Sequence, residues 1–178
     1  MRNYILFLLL SILVIPKLYL LAQINDVTRL PTQSSAEVLF ESAPVIISEN
    51  EIIIFYVSEN IDTIYSTFSD DRGANWGIHK IVQTVQLEDP NQELIYLSAL
   101  KTNTGRLILA WSLLNDGMYL VHSDDNGSSW SVPQRILGGG TNNYTRQNSE
   151  YLNLSQVNDG RLFLCFNKGG FLNQLYYK

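Results

Sequence analysis

Three stretches of the chain repeat one arrangement of polar and apolar positions. Asn50-Glu51-Ile52-Ile53-Ile54-Phe55-Tyr56-Val57, Gly105-Arg106-Leu107-Ile108-Leu109-Ala110-Trp111-Ser112 and Gly160-Arg161-Leu162-Phe163-Leu164-Cys165-Phe166-Asn167 each begin 55 residues after the one before. Each opens on a residue that tolerates positive φ and continues as a β-branched, aromatic and leucine-rich run with little helical periodicity. That pattern predicts a strand leaving a tight hairpin. Upstream of each run lies another strand candidate, at 44–47, 94–101 and 151–157, so every unit begins with a hairpin. Downstream lie third strands near 63–68, 118–122 and 173–178, then fourth strands near 80–83 and 134–137.

The third strand runs into a shared phrase in the first two units. Ser69-Asp70-Asp71-Arg72-Gly73-Ala74-Asn75-Trp76 and Ser123-Asp124-Asp125-Asn126-Gly127-Ser128-Ser129-Trp130 both read S-x-D-x-G-x-x-W. The chemistry is that of a turn. Asp71 or Asp125 can accept hydrogen bonds from turn amides, Gly73 or Gly127 can take positive φ, and Trp76 or Trp130 can pack the turn on its own sheet. Four antiparallel strands in a repeat of this length predict one blade of a β-propeller. A β-sandwich with coincidental turns is the rival, and constant hairpin spacing argues against it.

The S-x-D-x-G-x-x-W phrase resembles the Asp-box, or BNR repeat, of the sialidase (neuraminidase) superfamily, and the resemblance extends over 38–178. It implies an all-β fold, a sialidase-type propeller of the six-bladed family, of which the chain holds about three blades, 38–90, 91–145 and 146–178. It also implies that the Asp-box residues Ser69, Asp71, Gly73, Trp76, Ser123, Asp125, Gly127 and Trp130 are structural, on the side opposite a central substrate funnel. A calcium loop is the alternative, weakened because no glutamate closes a twelve-residue loop. Aligning Tyr65, Tyr119 and Tyr176 puts the next Asp-box serine past Lys178. The expectation is therefore a truncated gene or partial sequence. Two chains closing a six-bladed ring are the other option, and open blade edges would favour self-association.

Composition narrows the setting. Residues 4–22 are almost wholly apolar and follow Arg2, which reads as a signal peptide over 1–22 with a linker over 23–37. An uncleaved anchor is the alternative, and the only route by which a membrane would be a partner. Either reading places the protein outside the cytoplasm: secreted, periplasmic or at the cell surface. A formal net charge of −5 argues against nucleic acid, because backbone binding needs a basic field. Cys165, the only cysteine, cannot form an internal disulfide, no cluster has zinc-ligand spacing, and no cofactor or metal is expected. Three N-x-S/T sequons, at Asn126, Asn143 and Asn153, carry meaning only for a glycosylating host.

The resemblance also assigns candidate chemistry. Sialidases resemble one another in three arginines that hold the substrate carboxylate, an aspartate acid/base, and a tyrosine nucleophile activated by a glutamate. Bidentate guanidinium partners suit an anionic sugar, and a neutral nucleophile avoids repelling it. The first arginine stands in an Arg-Ile-Pro phrase, where this chain has Ser42-Ala43-Pro44, so whether the chain is an enzyme stays open. Asp62 best matches the acid/base, with Glu59 in the same loop. Arg146 and Tyr144, before the third inner strand, are candidate substrate-binding residues, as are Glu41, Glu93 and Glu150 near the starts of the inner strands. The same acids also fit ordinary solvated turns and strand ends. Tyr56, Tyr96 and Tyr151 read as strand aromatics, Trp111 and Cys165 as core, and His79 and His122 as turn or surface residues. The implied function is part of an exo-acting glycoside hydrolase on extracellular glycans, incomplete and inactive alone. The alternative is a non-catalytic propeller that binds carbohydrate or protein.

Overall fold

The computed structural model describes residues 41–57, 61–88, 92–114, 116–138, 149–168 and 171–177. Among these residues eleven strands form three antiparallel sheets, and none is helical. The first sheet is β1 (Ser42–Ile46), β2 (Ile52–Val57), β3 (Thr63–Ser69) and β4 (Lys80–Thr84), in that order. The second repeats it with β5 (Leu94–Lys101), β6 (Leu107–Leu113), β7 (Gly117–Ser123) and β8 (Gln134–Gly138). The third holds β9 (Ser149–Gln156), β10 (Leu162–Lys168) and β11 (Phe171–Tyr177), again with neighbours in sequence paired in space. Residues 1–22 and 23–37, read above as leader and linker, lie outside the described residues.

The sheets meet face to face, with β5 beside β1 and β9 beside β5. Strand alternation explains how one sequence serves two junctions. Ile53, Phe55 and Val57 of β2 point to the second sheet and pack with Leu107, Leu109 and Trp111 of β6. The alternate residues of β6, Ile108 and Ala110, face the third sheet and pack with Leu162, Leu164 and Phe166 of β10. Every position of β6 is therefore buried, as expected of a strand covered on both faces. Polar bonds add to these junctions: Lys101 Nζ donates to the Ile47 carbonyl (2.9 Å) and the Asn103 N–H to Gln156 Oε1 (2.7 Å).

Antiparallel pairing sorts the connections between two ends. One end carries the β1–β2, β5–β6 and β9–β10 hairpins together with the two S-x-D-x-G-x-x-W turns. The other carries the β2–β3, β4–β5 and β6–β7 connections. Gly117 belongs to this second end, where β7 starts so close to β8 that a Cβ would stand 2.2 Å from the Leu137 carbonyl oxygen.

The two turns have nearly the same geometry. Ser69 Oγ donates to Asp71 Oδ1 (2.8 Å) and accepts from the Gly73 N–H (2.8 Å), while Asp71 Oδ1 also accepts from the Asn75 N–H (2.7 Å). In the second turn Ser123 Oγ donates to Asp125 Oδ1 (2.7 Å) and accepts from the Gly127 N–H (2.8 Å), and the Ser129 N–H donates to Asp125 Oδ1 (2.8 Å). Asn75 Nδ2 and Ser129 Oγ reach the remaining carboxylate oxygen at 2.7 and 2.5 Å. Arg72 and Gly73, like Asn126 and Gly127, have positive φ, so each turn passes two residues through the left-handed region. A carboxylate that accepts this many hydrogen bonds resists protonation. The Asp71 pKa is lowered, and that of Asp125 falls to about 2. Trp130 also does more than cover its own sheet, because its ring meets Phe55 of the first sheet edge to face at 5.5 Å.

Candidate functional site

The end opposite the S-x-D-x-G-x-x-W turns collects the sequence-derived acids. Glu41 precedes β1, and its carbonyl accepts from the Val57 N–H at the end of β2 (3.1 Å). Glu93 precedes β5, and its carbonyl accepts from the Leu114 N–H just past β6 (2.8 Å). The two glutamates thus occupy equivalent places on successive sheets. Burial pushes the Glu41 carboxyl above its ordinary pKa, whereas Glu93 is exposed. Glu150 pairs with Asn167 through the backbone at the start of β9. Tyr144 and Arg146 lie outside the described residues, as does Glu59.

Asp62 sits on the same end in a fixed turn. Its carbonyl accepts from the Val85 N–H (2.7 Å), and the carbonyl of Ile61 accepts from the Leu94 N–H at the start of β5 (2.9 Å). Ile61 has φ +54°, a conformation that a β-branched residue adopts only when its surroundings impose it. Here the imposition comes from both sides, since the Ile61 side chain also packs against the core between the first two sheets. Asp62 is half-buried, with Oδ1 accepting from Thr63 Oγ1 (2.8 Å). It is therefore a held acid and not a freely solvated one.

Three features at this end were not legible as site elements. Tyr96 is a bulged residue of β5 at φ +49°, where the register with β6 shifts between Ile95 and Leu97. Bulges of this kind re-aim neighbouring side chains. Asp116, Tyr119 and Arg135 form a clamp: Tyr119 Oη donates to Asp116 Oδ2, Arg135 Nη2 donates to the Asp116 carboxylate and to its carbonyl (2.8 Å), and the guanidinium lies 5.8 Å from the Tyr119 ring centre. Desolvation, then the hydrogen bond to Asp116, raises the Tyr119 pKa to about 12. The clamp ties the β6–β7 connection to β8. His79, read from sequence as a turn or surface residue, is half-buried and bonded through Nδ1 to Tyr56 Oη, with the rings edge to face at 5.5 Å. No local pattern could announce that contact, because 23 residues separate the pair.

Chemically, this end offers carboxylates as hydrogen-bond acceptors and half-buried aromatic residues beside them, the combination that hydroxyl-rich ligands use. The cationic groups described nearby are engaged: Arg135 is held by Asp116. Among the described residues no group of three or more His, Cys, Asp or Glu side chains could hold a metal ion, and no helix is long and apolar enough to cross a membrane.

No protein-family model matches this chain, and no curated protein matches it significantly. Solved structures do. The Aleuria aurantia lectin, in complex with alpha-methyl-L-fucoside, superposes with a TM-score of 0.54 at 13% identity, covering 77% of this chain and 40% of the lectin. Another structure of that lectin is described as a six-bladed β-propeller with a novel fucose recognition mode. The Hadza microbial sialidase Hz136 superposes with a TM-score of 0.54 at 16% identity, covering 79% of this chain and 31% of the sialidase. NanB sialidase from Streptococcus pneumoniae gives 0.54 at 16% identity, covering 83% of this chain and 23% of the enzyme. The chain thus spans well under half the length of the proteins it resembles. Three face-packed antiparallel sheets and these superpositions together make the fold an all-β propeller of the sialidase type, represented here by three of its sheets.

Proposed function

We propose that the chain is part of an exported glycan-handling propeller whose ligand meets the end carrying Glu41, Asp62 and Glu93. The observation that carries this reading is the held turn at Ile61 and Asp62. Backbone strain there is maintained by contacts from two sheets, and it fixes an acid on the end away from the structural turns. Two supports are independent of it. The S-x-D-x-G-x-x-W turns match Asp-boxes in sequence, and the superposed proteins include sialidases and a fucose-binding lectin. The apolar segment 4–22 behind Arg2 supports export.

On this reading the chain as given binds without hydrolysing. Ser42-Ala43-Pro44 stands where a sialidase would place its first carboxylate-binding arginine, so an anionic sugar loses one bidentate partner. That favours the binding module over the exo-acting hydrolase, which remains the reading for a longer polypeptide containing further blades. The test is twofold. Purified chain should not release fluorophore from a fluorogenic sialoside, and on a glycan panel it should bind a subset that Asp62→Asn or Glu93→Gln weakens. Detectable sialoside turnover would remove the binding-only reading. Absence of any glycan binding, or binding indifferent to both substitutions, would remove the proposed site.

A further inference from the structure

The second S-x-D-x-G-x-x-W turn holds a reactive sequence that the first lacks. Of the asparagines in the chain, only Asn126 is followed by glycine, and the first turn has Arg72 in its place. An asparagine side chain is open to attack by the backbone nitrogen of the next residue, and a glycine there leaves the approach free of any Cβ. Asn126 is also exposed, so water and base reach it.

The turn holds the two reacting groups apart. The left-handed backbone of Asn126, at φ +54°, turns the following nitrogen away from its side chain. That nitrogen is committed as well: the Gly127 N–H donates to Ser123 Oγ (2.8 Å), whose own proton goes to Asp125 Oδ1 (2.7 Å). Attack requires the amide to lose its proton. A charged carboxylate one hydrogen bond beyond the acceptor disfavours the anion that would form.

We propose that Asn126 is a deamidation site latched by its own turn, inert while Ser123 holds the Gly127 N–H and reactive when the turn opens. The Gly127 nitrogen then attacks Cγ of Asn126, a bond forms between them, and the Cγ–Nδ2 bond breaks. Ammonia leaves with the amide proton. Water opens the resulting succinimide on either side of the nitrogen, giving aspartate, or isoaspartate in which the main chain runs through Cβ and Cγ. Aspartate sets a third carboxylate beside Asp124 and Asp125, on the groove that Asn126 shares with Glu51. Isoaspartate lengthens the backbone by one atom where the Gly127 N–H must meet Ser123 Oγ. The change reaches the junction of the first two sheets, because a Cβ at Gly127 would lie 3.6 Å from Ile53, 3.6 Å from Trp130 and 3.7 Å from Leu107. Each opening that reacts is therefore recorded in a covalent bond. This concerns the scaffold, goes beyond ligand binding, and is independent of the glycan site.

The test follows the full chain by peptide-mapping mass spectrometry in mildly alkaline buffer, scoring the mass gain and the isoaspartate peak of the peptide containing Asn126. In denaturant Asn126 should react before any other asparagine, and in the native chain far more slowly. Ser123→Ala should raise the native rate about fivefold, the factor equivalent to one net hydrogen bond. Ser69→Ala removes the same hydroxyl from the first turn and should leave the rate unchanged, which separates local opening from general loosening. Chain carrying isoaspartate should unfold at lower urea than unreacted chain. Equal rates in native and denatured wild-type chain would overturn the proposal, a comparison that holds even if Ser123→Ala fails to fold. So would a native rate that Ser123→Ala leaves unchanged, one that Ser69→Ala raises equally, or a urea midpoint that isoaspartate does not move.

Discussion

The hydroxyl of Ser98 accepts a hydrogen bond of 2.8 Å from the backbone N–H of Leu154, a bond that crosses from β5 of the second sheet to β9 of the third. Both residues are buried. Inner strands of neighbouring sheets have no ladder between them, so this side chain supplies the acceptor that a paired strand would have provided. Ser98→Ala should cost about 1–3 kcal/mol, because it strands a buried amide. Ser155→Ala, on an exposed neighbour of Leu154, should be nearly neutral. Urea unfolding of the two variants checks both.

Acid should weaken the turns in a defined window. The folded pKa of Asp71 lies below its ordinary value and that of Asp125 near 2. A depressed carboxylate stabilises the fold above its unfolded pKa and loses that contribution as pH falls through the folded one. Stability should therefore decline between roughly pH 4 and pH 2. Asp71→Asn with Asp125→Asn keeps an acceptor oxygen in each turn and removes the titration, so the double variant should show a shallower acid limb. An unchanged limb in a pH series of denaturant midpoints would contradict the assignment.

Glu41 should show the opposite sign. Its carboxyl is raised by burial, so the charged form is the less favoured one in the folded chain. Any stabilising contribution is present below the unfolded pKa and lost as pH rises through the folded value. Glu41→Gln should consequently raise the melting temperature at neutral pH, with the gap closing in acid. If Glu41 also contacts glycan, the same variant binds less while standing firmer, a trade common at functional sites. Melting curves at two pH values, read beside glycan binding, separate the two effects.

Most of the fold was legible, for a reason visible in particular strands. β6 was predicted from Gly105 onward because its run lacks helical period and opens on a turn glycine, and the structure starts the strand at Leu107. Constant spacing then located β2 and β10. The inner strand β1 was placed two residues late, at 44 instead of Ser42, because proline there looks like a boundary. In the sheet β1 is paired only with β2, and an edge strand tolerates a missing N–H. The site was less legible. The acids could be assigned to strand ends from connectivity, but the strain at Ile61, the bulge at Tyr96 and the Tyr56–His79 bond arise from how strands pair and pack on one another, which one strand's residue order does not record.

The contact between Trp130 and Phe55 has a temporal side. The tryptophan sits late in its own sheet, yet it packs on a sheet earlier in the chain. In a polypeptide delivered amino end first, the partner of that ring would already have emerged when the second sheet's last turn closes.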